Sequence, residues 1–381
     1  MTPPDPLTTP DLLGTEPEED LRDAVAALLA DRCTPASVLA RCESGRPYDL
    51  ELWRTLAVQL GVSGLHVPEA FGGQGGTYRD TAVVAGELGR SVAPLPFLGG
   101  CVLAMTTLLG CDTGDPQVAE LIERLASTAQ PAALAVPLPS GPGAGFPGSV
   151  SATGDGLLTG RIGTVADATV AEVLLVPALA PDGPALYAVD RAFPGLTLSP
   201  LTALDLTRGI GDVVLYDAPG MRVAGPEHAP GAVSGALTAA AAVLASEQVG
   251  IAEWCLATTV DHVRGRHQFG RPIGSFQAVK HRLADLWLDL TTARATARYA
   301  ADALASGSPD LPIAVALAQA HCGPIAVRAA EECIQLHGGM GMTWEHPAHL
   351  YLARAKSDEI ALGSPGWHRA ALATLVDLPA G

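Results

Sequence analysis

The C-terminal part of the chain carries four long segments in which apolar residues recur with the period of an α-helix. They span roughly residues 232–265, 275–306, 311–338 and 347–376, with glycine and proline between them, as in Gly270-Arg-Pro-Ile-Gly274. Alanine and leucine are frequent in these segments, and both favour helix. Because long helices with short connections pack as antiparallel bundles, the sequence predicts a four-helix bundle.

Before the bundle, the residue pattern indicates two further regions of different secondary structure. Thr15-Glu16-Pro17-Glu18 has the form of a helix capping box, and helical periodicity continues to about residue 130. After Pro131, short apolar runs alternate with glycine and proline, which is typical of β-strands. The predicted fold is α+β, with a flexible tail (1–14), an N-terminal helical domain (15–130), a middle β-barrel-like domain (131–228) and a C-terminal four-helix bundle (229–381).

The charge of the chain excludes one large class of partners. With 40 acidic and 23 basic residues, the formal net charge is −17. Nucleic acids and anionic membrane surfaces both attract basic faces, so we expect neither as a partner. The bundle is nearly balanced, with 13 acids and 11 bases in residues 229–381. An anionic cofactor is therefore expected there.

The cysteines and the N-terminus predict a compartment. There are seven cysteines, none paired as CxxC, so reduced thiols are expected and a disulfide framework is not. The N-terminal residues are acidic and proline-rich, unlike a signal peptide. No apolar stretch is expected to reach the ~20 residues of a membrane span. The sequence thus predicts a cytoplasmic protein.

Two short sequence patterns match known binding motifs but are better explained without a ligand. Gly143–Gly148 fits GxGxxG, but Pro147 lies inside it and no helix is predicted after it, so a linker is the better interpretation. His346 and His349 follow Glu345 without a further ligand at usable spacing, so we predict no metal site.

Two other motifs are more specific. Arg266-His-Gln268-Phe269-Gly270 is followed by Phe276-Gln277, and Gln335-Leu-His337-Gly338-Gly339-Met-Gly341 ends the third bundle helix. A basic helix end and a glycine helix cap would explain each motif separately. A guanidinium and unhindered glycine amides also suit a phosphate group.

Together these motifs resemble the acyl-CoA dehydrogenase family, and the order of helical domain, β-domain and bundle matches that family's fold. Leu65-His-Val-Pro-Glu69 and Glu87-Leu-Gly89 resemble its N-terminal domain. The resemblance implies FAD as cofactor and α,β-desaturation of an acyl thioester, carried by CoA or by a carrier protein. It also implies that the cofactor lies between neighbouring subunits.

The resemblance further implies which residues would contact FAD. Arg266 and Gln277 would do so from one subunit, together with Gln268 and Phe269 of the same motif. The second motif would line the cofactor from the other subunit through Gln335, His337, Gly338 and Gly339.

The family's catalytic base is missing from both of its usual positions. When the family's pattern is aligned on Ala355-Lys356 and Gly363, Leu362 stands where the catalytic glutamate is expected. Some family members carry the base on the first bundle helix instead, and counting back from Arg266 places Ala240 at that position. Glu359 could substitute as a helical neighbour of Leu362. Glu247 lies on the face of Ala240 but roughly 10 Å along the helix. Either glutamate could instead be structural.

Three functions follow from this departure. The first is a base-lacking subunit of a hetero-oligomeric acyl-CoA dehydrogenase, as in actinobacterial members of the family. The second is a self-sufficient flavoenzyme that uses Glu359 or Glu247. The third is a flavin-free structural or binding subunit. The expected partner is a same-family chain, or a second copy of this chain.

Overall fold

The computed structural model describes residues 10–378, and in this part of the chain a helical region, a curled sheet and a helical bundle follow one another. This is the α+β order predicted from the sequence. Residues 1–9 of the predicted tail and residues 379–381 lie outside the described part. Segment 10–14 has no regular structure, and Arg79 donates hydrogen bonds to its carbonyl groups at Asp11 and Leu13.

Side-chain caps fix where the N-terminal helices begin. Thr15 and Glu18 form the expected capping box, and Thr77 and Asp80 form a second one. π-Helical turns extend α3 after Arg54 and precede α5. The short helix Pro35–Glu43 was not predicted from the sequence. The helices are α1 (Glu16–Arg32), α2 (Pro35–Glu43), α3 (Leu50–Arg54), α4 (Tyr78–Arg90), α5 (Met105–Leu109) and α6 (Pro116–Ser127).

The middle region is one mixed sheet. Its neighbouring strands follow the order β6-β7-β3-β2-β4-β5-β8, and β1 adds to β4 in parallel. One face packs alternate residues such as Leu158, Leu174 and Val213 into a separate apolar core. The strands are β1 (Ala132–Leu134), β2 (Val150–Ala152), β3 (Leu157–Ala166), β4 (Val173–Ala180), β5 (Gly183–Asp190), β6 (Leu196–Pro200), β7 (Ile210–Pro219) and β8 (Met221–Ala224). They fall between residues 131 and 228, although the domain limits themselves stay a prediction.

The bundle differs from the prediction at its last helix, because residues 347–376 form two helices. Leu362 (φ +55°) and Gly363 (φ +99°) leave the helical conformation, and the Ser364 side chain then caps a new helix. The helices are α7 (Ala229–Gly265), α8 (Gln277–Ala305), α9 (Leu311–His337), α10 (Ala348–Ile360) and α11 (Pro365–Leu375).

Glycine and alanine let α7 pack closely against its neighbours. A Cβ at Gly250 would lie 1.9 Å from the carbonyl oxygen of Gly86, and one at Gly89 would lie 2.2 Å from that of Glu247. The side chains of 239–242 are all alanine and fully buried. Helix α7 is therefore the central helix, in contact with α4, α8 and α9.

Two helices are longer and more apolar than the sequence analysis allowed. By length and composition, Ala229–Gly265 and Leu311–Met342 could each cross a membrane, so the expectation that no stretch would do so was wrong. In each, 67% of the most apolar window is buried inside the chain. Their apolar character is thus that of core helices.

Candidate functional site: a divided cofactor site and a closed base position

The Arg266 motif forms a short hairpin beyond α7. Strands β9 (His267–Gln268) and β10 (Arg271–Pro272) pair antiparallel, with Phe269 and Gly270 in left-handed conformations at the turn. The Phe269 ring is 90% exposed. The other exposed side chains that the sequence assigned to this site are Arg266, Gln268 and Gln277. The hairpin therefore presents a guanidinium, two amides and an aromatic face.

The second motif forms a 3₁₀ turn, Gly338–Met342, directly after α9. Gly338 has φ +63° and ψ −139°, a conformation that a side chain disfavours. A Cβ at Gly338 or Gly339 would meet nothing within 4 Å, so the space beside both residues is open. Gln335 is exposed, whereas His337 is 7% exposed.

The structure brings the two motifs together within one chain. The ring of His262, one turn before Arg266, lies against that of His337 with 4.2 Å between ring centroids and a tilt of 30°. The ring of His346 also lies 4.2 Å from that of His337, with a tilt of 45°. Both motifs therefore lie at one end of the bundle of a single chain. The expected division of the cofactor site between two subunits stays a prediction.

The position of the missing base is closed by hydrogen bonds to its backbone. The N–H of Leu362 donates to the carbonyl oxygen of Leu138 (2.8 Å), and its carbonyl oxygen lies 2.9 Å from His368 Nε2. Leu362 is 0% exposed, and burial lowers the pKa of His368. The Leu138 N–H donates in turn to Thr164 (3.0 Å). A continuous backbone contact thus joins the turn at Leu362 to the sheet.

An apolar cavity of about 650 Å³ opens beside this turn. Trp367 and His368 near the start of α11 line it, together with Pro142 and Val315. Leu362 is instead part of the main apolar core.

The alternative base position is closed by packing. Ala240 is 0% exposed and lies in the fully buried alanine run of α7. Neither usual position offers a proton acceptor or room for one.

Glu359 does not have the relation to Leu362 that the sequence analysis assumed. Helix α10 ends at Ile360, so Leu362 is outside it and the three-residue helical spacing does not apply. The Glu359 carboxylate instead lies 3.6 Å from Lys356 Nζ, and its side chain is about one-quarter exposed (24%). This is the geometry of a surface ion pair.

Glu247 is part of a buried ionic cluster. Its Oε1 accepts from Arg208 Nη2 (2.5 Å) and from Arg354 Nη1 (2.6 Å). Arg208 also binds Asp358, and Arg354 also binds Asp205. Burial, reinforced by the charge of Glu247, holds the pKa of Asp358 well above its ordinary value. We call these five side chains the ionic cluster; it joins the sheet region to α7 and α10.

Sequence reasoning missed most of the ionic cluster and a second buried contact in the sheet region. Asp167 accepts from the Tyr48 hydroxyl and from the N–H of Gly99 (2.8 Å). The available signal was a set of charged residues inside apolar segments, such as Glu247 after the alanine run.

Comparison with known proteins follows the same division of the chain. Residues 15–128 match the model "Acyl-CoA dehydrogenase, N-terminal domain", and residues 231–376 match "Acyl-CoA dehydrogenase, C-terminal domain". The acyl-CoA dehydrogenase IpdE2 of Mycobacterium tuberculosis is 36% identical over 354 residues, covering 92% of this chain and 95% of the relative. FadE27 of the same organism is 33% identical over 363 residues, covering 93% and 95%.

Solved structures give the same result for the fold. The ChsE4-ChsE5 complex of Mycobacterium tuberculosis matches with a TM-score of 0.85 and 30% identity, covering 97% of this chain and 100% of the matched one. A variant of the Tcur3481-Tcur3483 steroid ACAD matches with a TM-score of 0.83 and 29% identity, covering 95% and 98%.

Proposed function

The chain belongs to the acyl-CoA dehydrogenase family, and on that premise we propose that it is a base-lacking, FAD-contacting subunit of a hetero-oligomeric acyl-CoA dehydrogenase. The observation that carries the proposal is the closed base position. Leu362 cannot accept a proton, and both of its backbone polar groups are bonded within the chain. A partner chain of the same family would supply the base.

The residues present fit the nucleotide half of FAD. Gly338 and Gly339 leave open space for a close backbone approach, and the Arg266 guanidinium suits a pyrophosphate. The exposed Phe269 ring offers a stacking face. Gln268, Gln277, Gln335 and His337 complete the set that we assign to the cofactor. When bound, FAD supplies the hydride acceptor for desaturation; this chain's residues hold and orient it.

The structure gives no comparable support for a base within the chain. The carboxylate of Glu247 binds two buried arginines, so we infer a structural role for it. Glu359 pairs with Lys356 near the surface. The Glu247 side chain is only 5% exposed, so its carboxylate is closed off from a substrate. The self-sufficient enzyme is therefore the weaker alternative.

The names of the two similar solved structures support a proposal for the partner and for the substrate. ChsE4-ChsE5 is a complex of two chains, and the second neighbour also carries a paired name. We propose a same-family partner chain, a cytoplasmic location, and an acyl thioester of CoA or of a carrier protein. The words "steroid ACAD" support a steroid-derived acyl group as the first thioester to test.

The test compares the chain alone with the chain co-expressed with a candidate partner. Visible spectra are recorded before and after anaerobic addition of acyl-CoAs. We expect no bleaching of flavin by the chain alone and bleaching by the pair. Bleaching by the chain alone would contradict the missing base.

Arg266→Ala tests the cofactor site, with Arg264→Ala as its matched control. Both arginines are exposed at the end of α7, two residues apart. Arg266→Ala should lose flavin from the purified pair, and Arg264→Ala should keep it. Equal flavin content in the two variants would refute our placement of the cofactor.

A further inference from the structure

Three histidine rings are clustered in contact where α7, α9 and α10 meet. His262 lies in the last turn of α7, His337 ends α9, and His346 lies shortly before α10. The ring centroids are 4.2 Å apart from His262 to His337 and again from His337 to His346. We call these three residues the histidine column. The proposed function uses His337 alone.

The histidine column connects the two cofactor motifs. His262 precedes Arg266 by one helical turn, and Gly338 follows His337 directly. The Nδ1 of His337 lies 2.6 Å from the Cys333 carbonyl oxygen, which fixes the central ring to α9. The spacing between the hairpin and the glycine turn is therefore set partly by how these rings pack.

The surroundings of the column disfavour a second positive charge. Burial lowers the pKa of His262, and His337 and Arg266 lower it further. Burial also lowers the pKa of His346, with added effects from His337, His262 and His349. Every one of these neighbours is positive when charged. A helix C-terminus favours one cation, but adjacent like charges repel.

One further titratable group contacts the column. The Cys333 sulfur lies 3.6 Å from His337 Nδ1, on the side of α9. The groups facing the three rings are thus Arg266 from the end of α7, Cys333 from α9 and His349 from α10. When the three rings are neutral, they pack against one another. When two adjacent rings are protonated, their positive charges repel at short distance.

We propose that the histidine column is a pH-operated hinge between the Arg266 hairpin and the Gly338–Met342 turn. Neutral rings hold the two motifs together, and a second proton separates them. The hinge rests on the proposed function only for the identity of the molecule released, which is FAD. Acidification then weakens cofactor retention by moving the two motifs apart.

Hydrogen exchange on the full chain without cofactor tests the hinge itself. Wild type is compared with the double variant His262→Gln, His346→Gln at pH 8 and pH 5.5, with peptides covering 335–343 as the readout. Comparison at equal pH cancels the intrinsic pH dependence of exchange. At pH 5.5 the wild type should exchange about tenfold faster than the double variant, and at pH 8 the two should match.

His228→Gln is the control, because His228 is exposed at the opposite end of α7. It should behave as wild type at both pH values. His346→Gln alone serves as the second variant, since it removes one titratable ring outside the helices. For each variant we compare the ratio of the wild-type exchange rate to the variant exchange rate at the two pH values. If this ratio is the same at pH 8 and pH 5.5 for both the single and the double variant, the hinge is refuted.

Flavin release from the purified pair tests the link to the cofactor. Flavin fluorescence should show release about tenfold faster at pH 5.5 than at pH 8 for wild type, and a smaller change for the double variant. Equal pH dependence in both would overturn cofactor control. If no flavin binds at either pH, the proposed function fails, while hydrogen exchange still decides the hinge.

Discussion

Replacing Arg354 by methionine should destabilise the chain far more than replacing Glu247 by glutamine, although these two side chains share one hydrogen bond. The ionic cluster contains three carboxylates and two guanidiniums, so its formal charge is −1 with all groups ionised. Burial and the charge of Glu247 raise the pKa of Asp358 well above its ordinary value, which favours a proton on this carboxyl. The remaining four charges then balance.

The two substitutions shift this balance in opposite directions. Arg354→Met leaves the carboxylates of Glu247 and Asp205 with one buried guanidinium between them. Removing one partner of a buried ion pair costs about 3–5 kcal/mol. Glu247→Gln removes a negative charge that raises the pKa of Asp358, so Asp358 can ionise against Arg208, 2.7 Å away. The net loss should be about 1 kcal/mol.

The pH dependence of stability gives a second readout of the same reasoning. In the folded chain Asp358 holds its proton above the ordinary value of 3.8, at which the unfolded chain loses it. Asp358 therefore contributes stability below pH 3.8 that is lost as pH rises toward its folded pKa. Glu247→Gln should reduce this loss, because the folded pKa of Asp358 falls.

The assay is equilibrium unfolding in urea at pH 7, followed by the fluorescence of the tryptophans, among them buried Trp53. The two variants should differ by at least about 2 kcal/mol in the free energy of unfolding. Equal losses, or a larger loss for Glu247→Gln, would refute the charge-balance reasoning. Abolished turnover of the pair with unchanged unfolding would instead identify Glu247 as the base.

Three further predictions concern single positions. Burial lowers the pKa of His66 to about 4, so stability should fall as pH drops from 6.5 to 4, by up to about 3 kcal/mol, and His66→Phe should remove this dependence in pH-resolved unfolding curves. Leu362→Glu should give no flavin reduction by the chain alone, since the side chain at this position is fully buried in the apolar core; anaerobic bleaching of that variant by acyl-CoA would disprove this reasoning. Gly250→Ala should destabilise by about 1–3 kcal/mol, because its Cβ would lie 1.9 Å from the Gly86 carbonyl oxygen. Gly235→Ala on the same helix, with nothing within 4 Å, should stabilise by about 0.5–1 kcal/mol, and equal thermal midpoints for the two would contradict the packing argument.

Features set by nearby residues could be predicted from the sequence. The capping box at Thr15 and Glu18 placed the start of α1, and α7 ends at Gly265 where the periodic segment stops. The two motifs that we assign to the cofactor could be recognised in the sequence because each is continuous in the chain. Helix α2 was missed, since it is short and has a single fully buried residue, Val38.

Features set by distant residues could not be predicted. The break near Leu362 had a local signal in Gly363-Ser364-Pro365, which ends one helix and caps the next. The bonds of Leu362 to Leu138 and His368 had none, because they join distant residues. The ionic cluster likewise joins residues such as Arg208 and Asp358, which are 150 positions apart. No periodicity or short motif records such pairs.

The turn at Leu362 and the alanine run around Ala240 have a consequence for the history of the chain. At each position a carboxylate would enter a fully buried apolar environment without a partner. A lineage that reacquired a base would first pass through less stable forms. The proposed dependence on a second chain would therefore be hard to reverse by gradual selection on this chain alone.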